Sequence, residues 1–185
     1  VPSNPYDAKG LLMSAIQEDN LVVFSEDKTL LGQKGNVPEE PYTIEIGKAN
    51  VTREGDDLTI VAIGKMVAVA EETAEKLAED QVSVEVIDLR SVSPWDQETV
   101  LDSVKKTGRL IVIDESNPQC NIAGDVASVI GDVGFDYLDG PIKKVTAPDT
   151  PVPFAANLEA AYMPNADKVL DIASELIDDL KKANA

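Results

Sequence analysis

The sequence contains no histidine, and this absence excludes more chemistry than any motif in it supports. Histidine is the commonest general acid or base at neutral pH and the commonest metal ligand in proteins. Without it, no Ser-His or Cys-His nucleophile pair can form. The single cysteine, Cys120, has no partner for an internal disulfide, which is typical of the reducing cytosol. We therefore expect a cytoplasmic protein.

Basic residues are also scarce, with 16 Lys and Arg against 34 Asp and Glu and a formal net charge of -18. Such a charge repels nucleic-acid phosphates and anionic lipids, and it favours a basic protein partner or solubility alone. No apolar run approaches the roughly 20 residues of a membrane span, and no signal peptide opens the chain. We expect neither nucleic acid nor a membrane as a partner.

What the sequence does contain is a regular alternation of apolar strands and amphipathic helices. Strands are predicted at Leu58–Gly64, Val82–Leu89, Arg109–Asp114 and Pro141–Thr146, and helices at Met66–Glu79, Pro94–Thr107, Ile122–Val133 and Ala166–Lys181. Asn121 is a suitable N-cap for the third of these helices, and Gly108 should end the second. The alternation predicts an α/β fold in which three layers, α/β/α, enclose a mostly parallel sheet.

The first part of the chain does not fit this alternation. It predicts a helix over Asp7–Asp19 with Asp7 as N-cap, followed by a short buried strand at Leu21–Ser25. The polar segment Glu26–Pro41 reads as a linker, and Thr43–Ile46 with Ala49–Arg53 as an extended pair. We interpret residues 1–25 as the tail of a preceding domain, residues 26–55 as a linker and lead-in, and residues 56–185 as the α/β domain.

Acidic residues at strand ends raise the possibility of a catalytic site. Asp88 and Asp114 close two strands, as in a phosphate-accepting receiver domain, but the strand ending at Gly64 lacks the acidic pair that a receiver needs. We expect Asp88 and Arg90 to organise a strand end and its turn, with Pro94 in the first turn of the next helix. No catalytic residue is predicted in this chain.

Three other positions permit only weak functional interpretations. Gly64 lies alone, without the G-x-G-x-x-G of a dinucleotide site, and fits a tight strand-to-helix turn. Cys120 precedes a helix, but no base is visible near it, so it reads as an incidental cysteine. Phe154, after three prolines, could anchor another chain or belong to the core.

Five segments in order resemble the β subunit of thiamine-diphosphate-dependent 2-oxoacid dehydrogenase E1 components. They are PSNPYDAKGLL, VPEEPY, VIDLRSVSPWD, SVKKTGRL and APDTPVPF, beginning at Pro2, Val37, Val86, Ser103 and Ala147. Within that family, Glu115–Cys120 is most similar to the acetoin dehydrogenase β subunit. The resemblance implies a transketolase C-terminal-type domain, preceded by a helix and strand left over from the domain that binds the thiamine pyrimidine.

The resemblance also implies a division of labour between subunits. In this family, thiamine diphosphate and Mg²⁺ are bound by the α subunit and by the other half of β, so no cofactor-binding residue is expected here. The partners implied are the E1 α subunit, a second E1 β subunit and the E2 acyltransferase. The chain alone would then be inactive and would serve subunit assembly and E2 docking.

Two groups of residues are carried over from the family. Ala15, through its carbonyl, with Glu18 and Asn20 has the spacing of a structural K⁺ site, although a solvated helix end has the same pattern. Asp139 and the terminus at Ala185 are the positions expected to bind the basic domain of E2.

Two other classes of function are compatible with the fold. One is a stand-alone interaction or regulatory domain, similar to a degenerate receiver, which should remain monomeric without exposed apolar surface. The other is an independent hydrolase, which the sequence does not support because it has no nucleophile-base pair. The E1 interpretation instead predicts an exposed apolar patch where partner subunits pack.

Overall fold

The computed structural model describes the backbone of residues 1–183 and the side chains of residues 1–177. Its helices and strands, in chain order, are α1 (Pro5–Gln17), β1 (Asn50–Arg53), β2 (Leu58–Ala62), α2 (Met66–Glu79), β3 (Val84–Asp88), α3 (Gln97–Thr107), β4 (Leu110–Ile113), α4 (Ile122–Val133), β5 (Lys143–Val145), α5 (Ala156–Tyr162) and α6 (Ala166–Ala183). Short 3-10 helices lie at Lys28–Leu30 and Phe135–Tyr137.

The five strands form one sheet in the order β1-β3-β2-β4-β5. Strands β3, β2, β4 and β5 are parallel, and only the edge strand β1 is antiparallel. Every residue of β2, β3 and β4 is buried, because helices cover both faces of a parallel sheet. One apolar cluster joins the sheet to α2 and α6, and a second joins it to α3 and α4. The predicted three-layer, mostly parallel α/β fold is confirmed.

Capping residues set both ends of α3 and the start of α4. Asn121 accepts a hydrogen bond from the amide of Gly124 at 2.7 Å and starts α4 at the predicted residue. Gly108 ends α3 in the left-handed region at φ 68°, where a Cβ would be strained. The start of α3 was predicted wrongly: Asp96 accepts from the amide of Thr99, so the helix begins at Gln97 and Pro94 lies outside it.

The first fifty residues depart most from the prediction. Helix α1 begins at Pro5 because Asn4, and not Asp7, caps it by accepting from the amide of Asp7 at 2.9 Å. The predicted strand Leu21–Ser25 and the extended segment Thr43–Ile46 are not in the sheet, since the structure gives them no strand partner among residues 1–183. A strand needs a neighbour to satisfy its backbone, whatever its propensity.

The end of the domain also differs in detail. Helix α5 was not predicted, because its seven residues include three alanines and show no amphipathic pattern; Tyr162 is its only buried residue. Helix α6 packs against α2. Within residues 1–183, no helix combines the length and apolar character that crossing a bilayer requires.

Candidate functional site

The carboxyl edge of the sheet is the place where open α/β folds hold their ligands. Here Gly64 lies in the turn after β2, Asp88 is the last residue of β3, and Asp114 directly follows β4. Gly64 has φ 56° and makes the tight turn that the sequence predicted. The helices that follow β2 and β4 lie on opposite faces, so the crevice between these two strands is the topological switch point of the fold.

Asp88 is a buried carboxyl group at this edge. Its Oδ1 accepts the backbone N–H of Arg90 at 2.9 Å, and its Oδ2 accepts the hydroxyl of Ser3. Burial raises the pKa of Asp88 to about 6, with a further rise from the charge of Asp7, while the hydrogen bonds from Ser3 and Arg90 act in the opposite direction. The expected role of Asp88 in the turn after β3 agrees with these contacts.

Arg90 extends from the same turn toward α1. Its Nε donates to Oδ2 of Asp7 at 3.0 Å, and its Nη2 donates to Oδ1 at 2.6 Å. The Asp7 side chain is completely buried, and Arg90 itself has φ 58°, a left-handed conformation that is uncommon for a residue with a side chain. A two-point guanidinium–carboxylate pair fixes orientation as well as distance.

The sequence did not indicate that Ser3 and Asp7 would be the partners of Asp88 and Arg90. These pairs are separated by 85 and 83 residues, beyond the reach of any local pattern. The backbone nitrogen of Val1 also donates to the carbonyl of Arg90, at 2.8 Å. Residues 1–7 therefore lie directly on the turn after β3.

A cleft of about 600 Å³ opens beside this contact. It is lined by one side of α1, by residues 21–25 and by the loop 90–94, and most of its lining is apolar. Leu21 and Val23 are 94% and 85% exposed at its rim. The cleft contains no arrangement of acid, base and nucleophile among the described side chains.

The predicted cation ligands lie at the end of α1. Ala15 is in its last turn, Glu18 is its C-cap, and Asn20 follows as an exposed residue. Ala15 and Glu18 both line the cleft. A helix C-terminus carries unpaired carbonyls and partial negative charge, which suits a cation. The K⁺ site remains a prediction.

No other metal centre is indicated in the part of the chain that the structure describes, where no group of three or more His, Cys, Asp or Glu side chains converges. Cys120 is exposed on the loop before α4, at φ 51°. Asp114 accepts from the amide and hydroxyl of Ser116, and its Oδ2 is buried without a partner among the described residues.

Asp139 lies on the surface beside a shallow groove. Its backbone N–H donates to the carbonyl of Gly108 at 2.8 Å, and its carboxylate lies over that glycine. The groove is lined by Asp139 with Gly131, Phe135, Leu138, Pro141 and Ile142. Sequence reasoning missed Phe135, which is 71% exposed. The other predicted docking position, Ala185, lies outside the described residues.

A second exposed apolar group surrounds α5. The side chain of Phe154 is fully exposed, so the alternative that it belongs to the core is wrong. Val152 and Leu158 nearby are 62% and 55% exposed. Large apolar side chains grouped on a surface are typical of contact with another protein.

The sequence is similar to a known domain family and to β subunits of two bacterial enzymes. The sequence profile of the family described as "Transketolase, C-terminal domain" matches residues 47–169. The β subunit of acetoin:2,6-dichlorophenolindophenol oxidoreductase from Bacillus subtilis (strain 168) is 53% identical over 177 residues, which are 96% of this chain and 52% of that protein. The pyruvate dehydrogenase E1 component subunit beta of the same organism is 46% identical over 179 residues, covering 96% and 55%.

Among solved structures, the inactive β4 tetramer of a split-gene transketolase is 29% identical, with a TM-score of 0.64 over 74% of this chain and 43% of that chain. The chain thus spans about half the length of the curated relatives it matches. The match to the family profile covers the whole sheet, from β1 to β5, and helices α2 to α5. The chain belongs to the transketolase C-terminal domain family.

Proposed function

We propose that this chain is the C-terminal domain of the E1 β subunit of a thiamine-diphosphate-dependent acetoin dehydrogenase, with a pyruvate or other 2-oxoacid dehydrogenase as the alternative. The observation that carries the proposal is the 53% identity to the acetoin oxidoreductase β subunit across 96% of the chain. Residues 1–25 are, in this proposal, the tail of the pyrimidine-binding domain. The domain serves subunit assembly and E2 docking.

Catalysis is assigned to other parts of the enzyme. The described side chains offer no cluster of acidic ligands for Mg²⁺. The carboxyl edge, where a diphosphate would otherwise bind, is lined by the carboxylates of Asp88 and Asp114, which repel phosphate. The residues present do not fit thiamine diphosphate, and we derive no catalytic step from them.

Exposed apolar side chains support a role in assembly. Leu21, Val23 and Phe154 lie on the surface with most or all of their area in water. Burying apolar surface contributes about 25 cal/mol per Å², which makes such groups effective in subunit contacts. The proposed partners are the E1 α subunit and a second E1 β subunit.

An acidic surface supports the docking of a basic domain of E2. Asp139 lies at the groove beside Phe135, and the exposed residues Asp132 and Asp136 are close to it in the chain. Carboxylates around an apolar groove attract a cationic partner and orient it. The net charge of -18 acts in the same direction over longer distances.

A chimera tests the proposal on a complete enzyme. The segment of the B. subtilis acetoin oxidoreductase β subunit that matches this chain is replaced by the present sequence, and the chimera is purified with its α subunit. Acetoin-dependent reduction of 2,6-dichlorophenolindophenol is then measured. We expect activity within about tenfold of the parent, whereas this chain alone should show none and should bind no thiamine diphosphate with Mg²⁺ in calorimetry.

The matched control carries the corresponding segment of the B. subtilis pyruvate dehydrogenase E1 β subunit in the same position. Higher acetoin-dependent activity with the present chain than with the control supports assembly of this domain with an acetoin-type α subunit. A folded chimera that does not assemble with the α subunit would refute the proposed role in assembly. Stoichiometric binding of thiamine diphosphate by the chain alone would refute the division of labour.

A further inference from the structure

The first seven residues lie at the carboxyl edge of the sheet, where open α/β folds hold their ligands. Val1 lies beside the turn after β2, since a Cβ added at Gly64 would be 3.3 Å from Cγ1 of Val1. Its nitrogen is 2.8 Å from the carbonyl of Arg90, in the turn after β3. The segment therefore spans the ends of two neighbouring parallel strands, next to the switch point.

The contacts of this segment are those that a bound molecule would make. Ser3 supplies a hydroxyl to the buried carboxyl of Asp88, and Asp7 supplies a carboxylate to the guanidinium of Arg90. Ser3 and Asp7 are both buried. Side chains of the chain itself thus satisfy the carboxylate of Asp88, which is fully buried, and the guanidinium of Arg90.

The linker closes the neighbouring part of the same edge. Lys65, directly after the turn that follows β2, lies 2.8 Å from a carboxylate oxygen of Glu115 and 3.6 Å from one of Asp27. Asp27 belongs to the linker and Glu115 to the turn after β4. The crevice between β2 and β4 is therefore bridged by an ion pair, to which the linker contributes a second carboxylate.

We propose that residues 1–7 act as a tethered plug, which covers the carboxyl ends of β2 and β3 and fixes α1 against the turn after β3. The plug joins residues 1–25 to the α/β domain, although the linker separates these two parts in the sequence. All of its contacts lie within this chain, so it does not depend on the proposed assembly or docking role.

Amide hydrogen exchange on the full chain, read by mass spectrometry, tests the plug. We compare the wild type with Asp7→Asn and with Ser3→Ala, a milder change that removes only the hydroxyl. If the plug fixes α1, both variants should accelerate the exchange of the amides of residues 8–17 at least tenfold more than they accelerate exchange in α2 and α3. Arg53→Gln, which breaks an ion pair with Glu71 elsewhere, is the matched control.

Three results would overturn the proposal. The first is wild-type exchange in α1 as fast as in a free peptide of the same sequence, which would mean that the segment is not held. The second is equal acceleration in α1, α2 and α3 by both variants, which would make the contacts part of global stability and not of a separate plug. Acceleration in α1 by Arg53→Gln as well would equally contradict it.

Discussion

Asp7 and Arg90 form a buried ion pair between α1 and the turn after β3. Both carboxylate oxygens are used, at 2.6 and 3.0 Å from the guanidinium nitrogens. Arg90 also donates its backbone N–H to Asp88. The side-chain pair and this backbone hydrogen bond together hold Arg90 in its left-handed conformation. One arginine thereby links the first helix to the end of a central strand.

Breaking this pair from one side should be costly. We expect Arg90→Ala to lower the free energy of unfolding by about 3 kcal/mol, because it leaves the Asp7 carboxylate buried and unpaired. Urea denaturation at pH 7 measures the loss. The control Arg53→Ala, which breaks a partly exposed pair with Glu71, should cost about 1 kcal/mol or less. Equal losses in the two variants would contradict the prediction.

The stability of the chain should depend on the protonation of Asp88. Its folded pKa of about 6 lies above the ordinary 3.8, so the protonated form is favoured by folding. The groups that face it are the hydroxyl of Ser3 and the charges of Asp7 and Arg90. The contribution of Asp88 is fully present below pH about 4 and is lost as the pH rises through about 6, by roughly 3 kcal/mol in total.

The comparison of the wild type with Asp88→Asn isolates this effect from that of other acids. We measure urea unfolding of both proteins between pH 4.5 and 7.5. The difference in unfolding free energy should shift in favour of the variant as the pH rises, because the amide carries no charge to bury. Asp136→Asn changes an exposed residue, so its unfolding free energy should show the same pH dependence as that of the wild type. If the unfolding free energy of Asp88→Asn followed the same pH dependence as the wild type, Asp88 would not be the source of the effect.

Gly55 should not tolerate a side chain. A Cβ there would overlap the backbone of Val84 and Glu85 in β3, which cannot rotate away as a side chain could. We expect Gly55→Ala to lower the free energy of unfolding by at least about 2 kcal/mol. Gly32→Ala is the control, since nothing lies within 4 Å of its Cβ position. Thermal and urea unfolding of the two variants measure the difference.

The proposed docking role predicts that charge reversal at Asp139 weakens binding of a basic E2 domain. We expect Asp139→Lys to raise the Kd at least tenfold at low salt and to flatten its dependence on salt concentration. Glu79→Lys, at the exposed end of α2 on the other face of the sheet, carries the same change in net charge. Equal effects of the two substitutions would mean that only overall charge matters, and an unchanged Kd would exclude Asp139 from the docking surface.

Local signals predicted the α/β part of the fold well, because its helices and strands carry their own caps and buried patterns. Helix α4 has its predicted bounds, set by Asn121 and the residue after Val133. The segment Leu21–Ser25 was predicted as a strand from its composition, but a strand also requires a partner, which the sequence does not specify. The partners of Asp88 and Arg90 could not be found either, since no local signal joins residues more than eighty positions apart.

The ion pair and hydroxyl contact at the carboxyl edge bear on how this chain tolerates cleavage. The linker between Gly32 and Gly35 is exposed, whereas residues 1–7 are held by contacts outside it. Proteolysis in the linker should therefore yield two fragments that remain associated, and residues 1–32, supplied as a separate peptide, should complement the remainder of the chain.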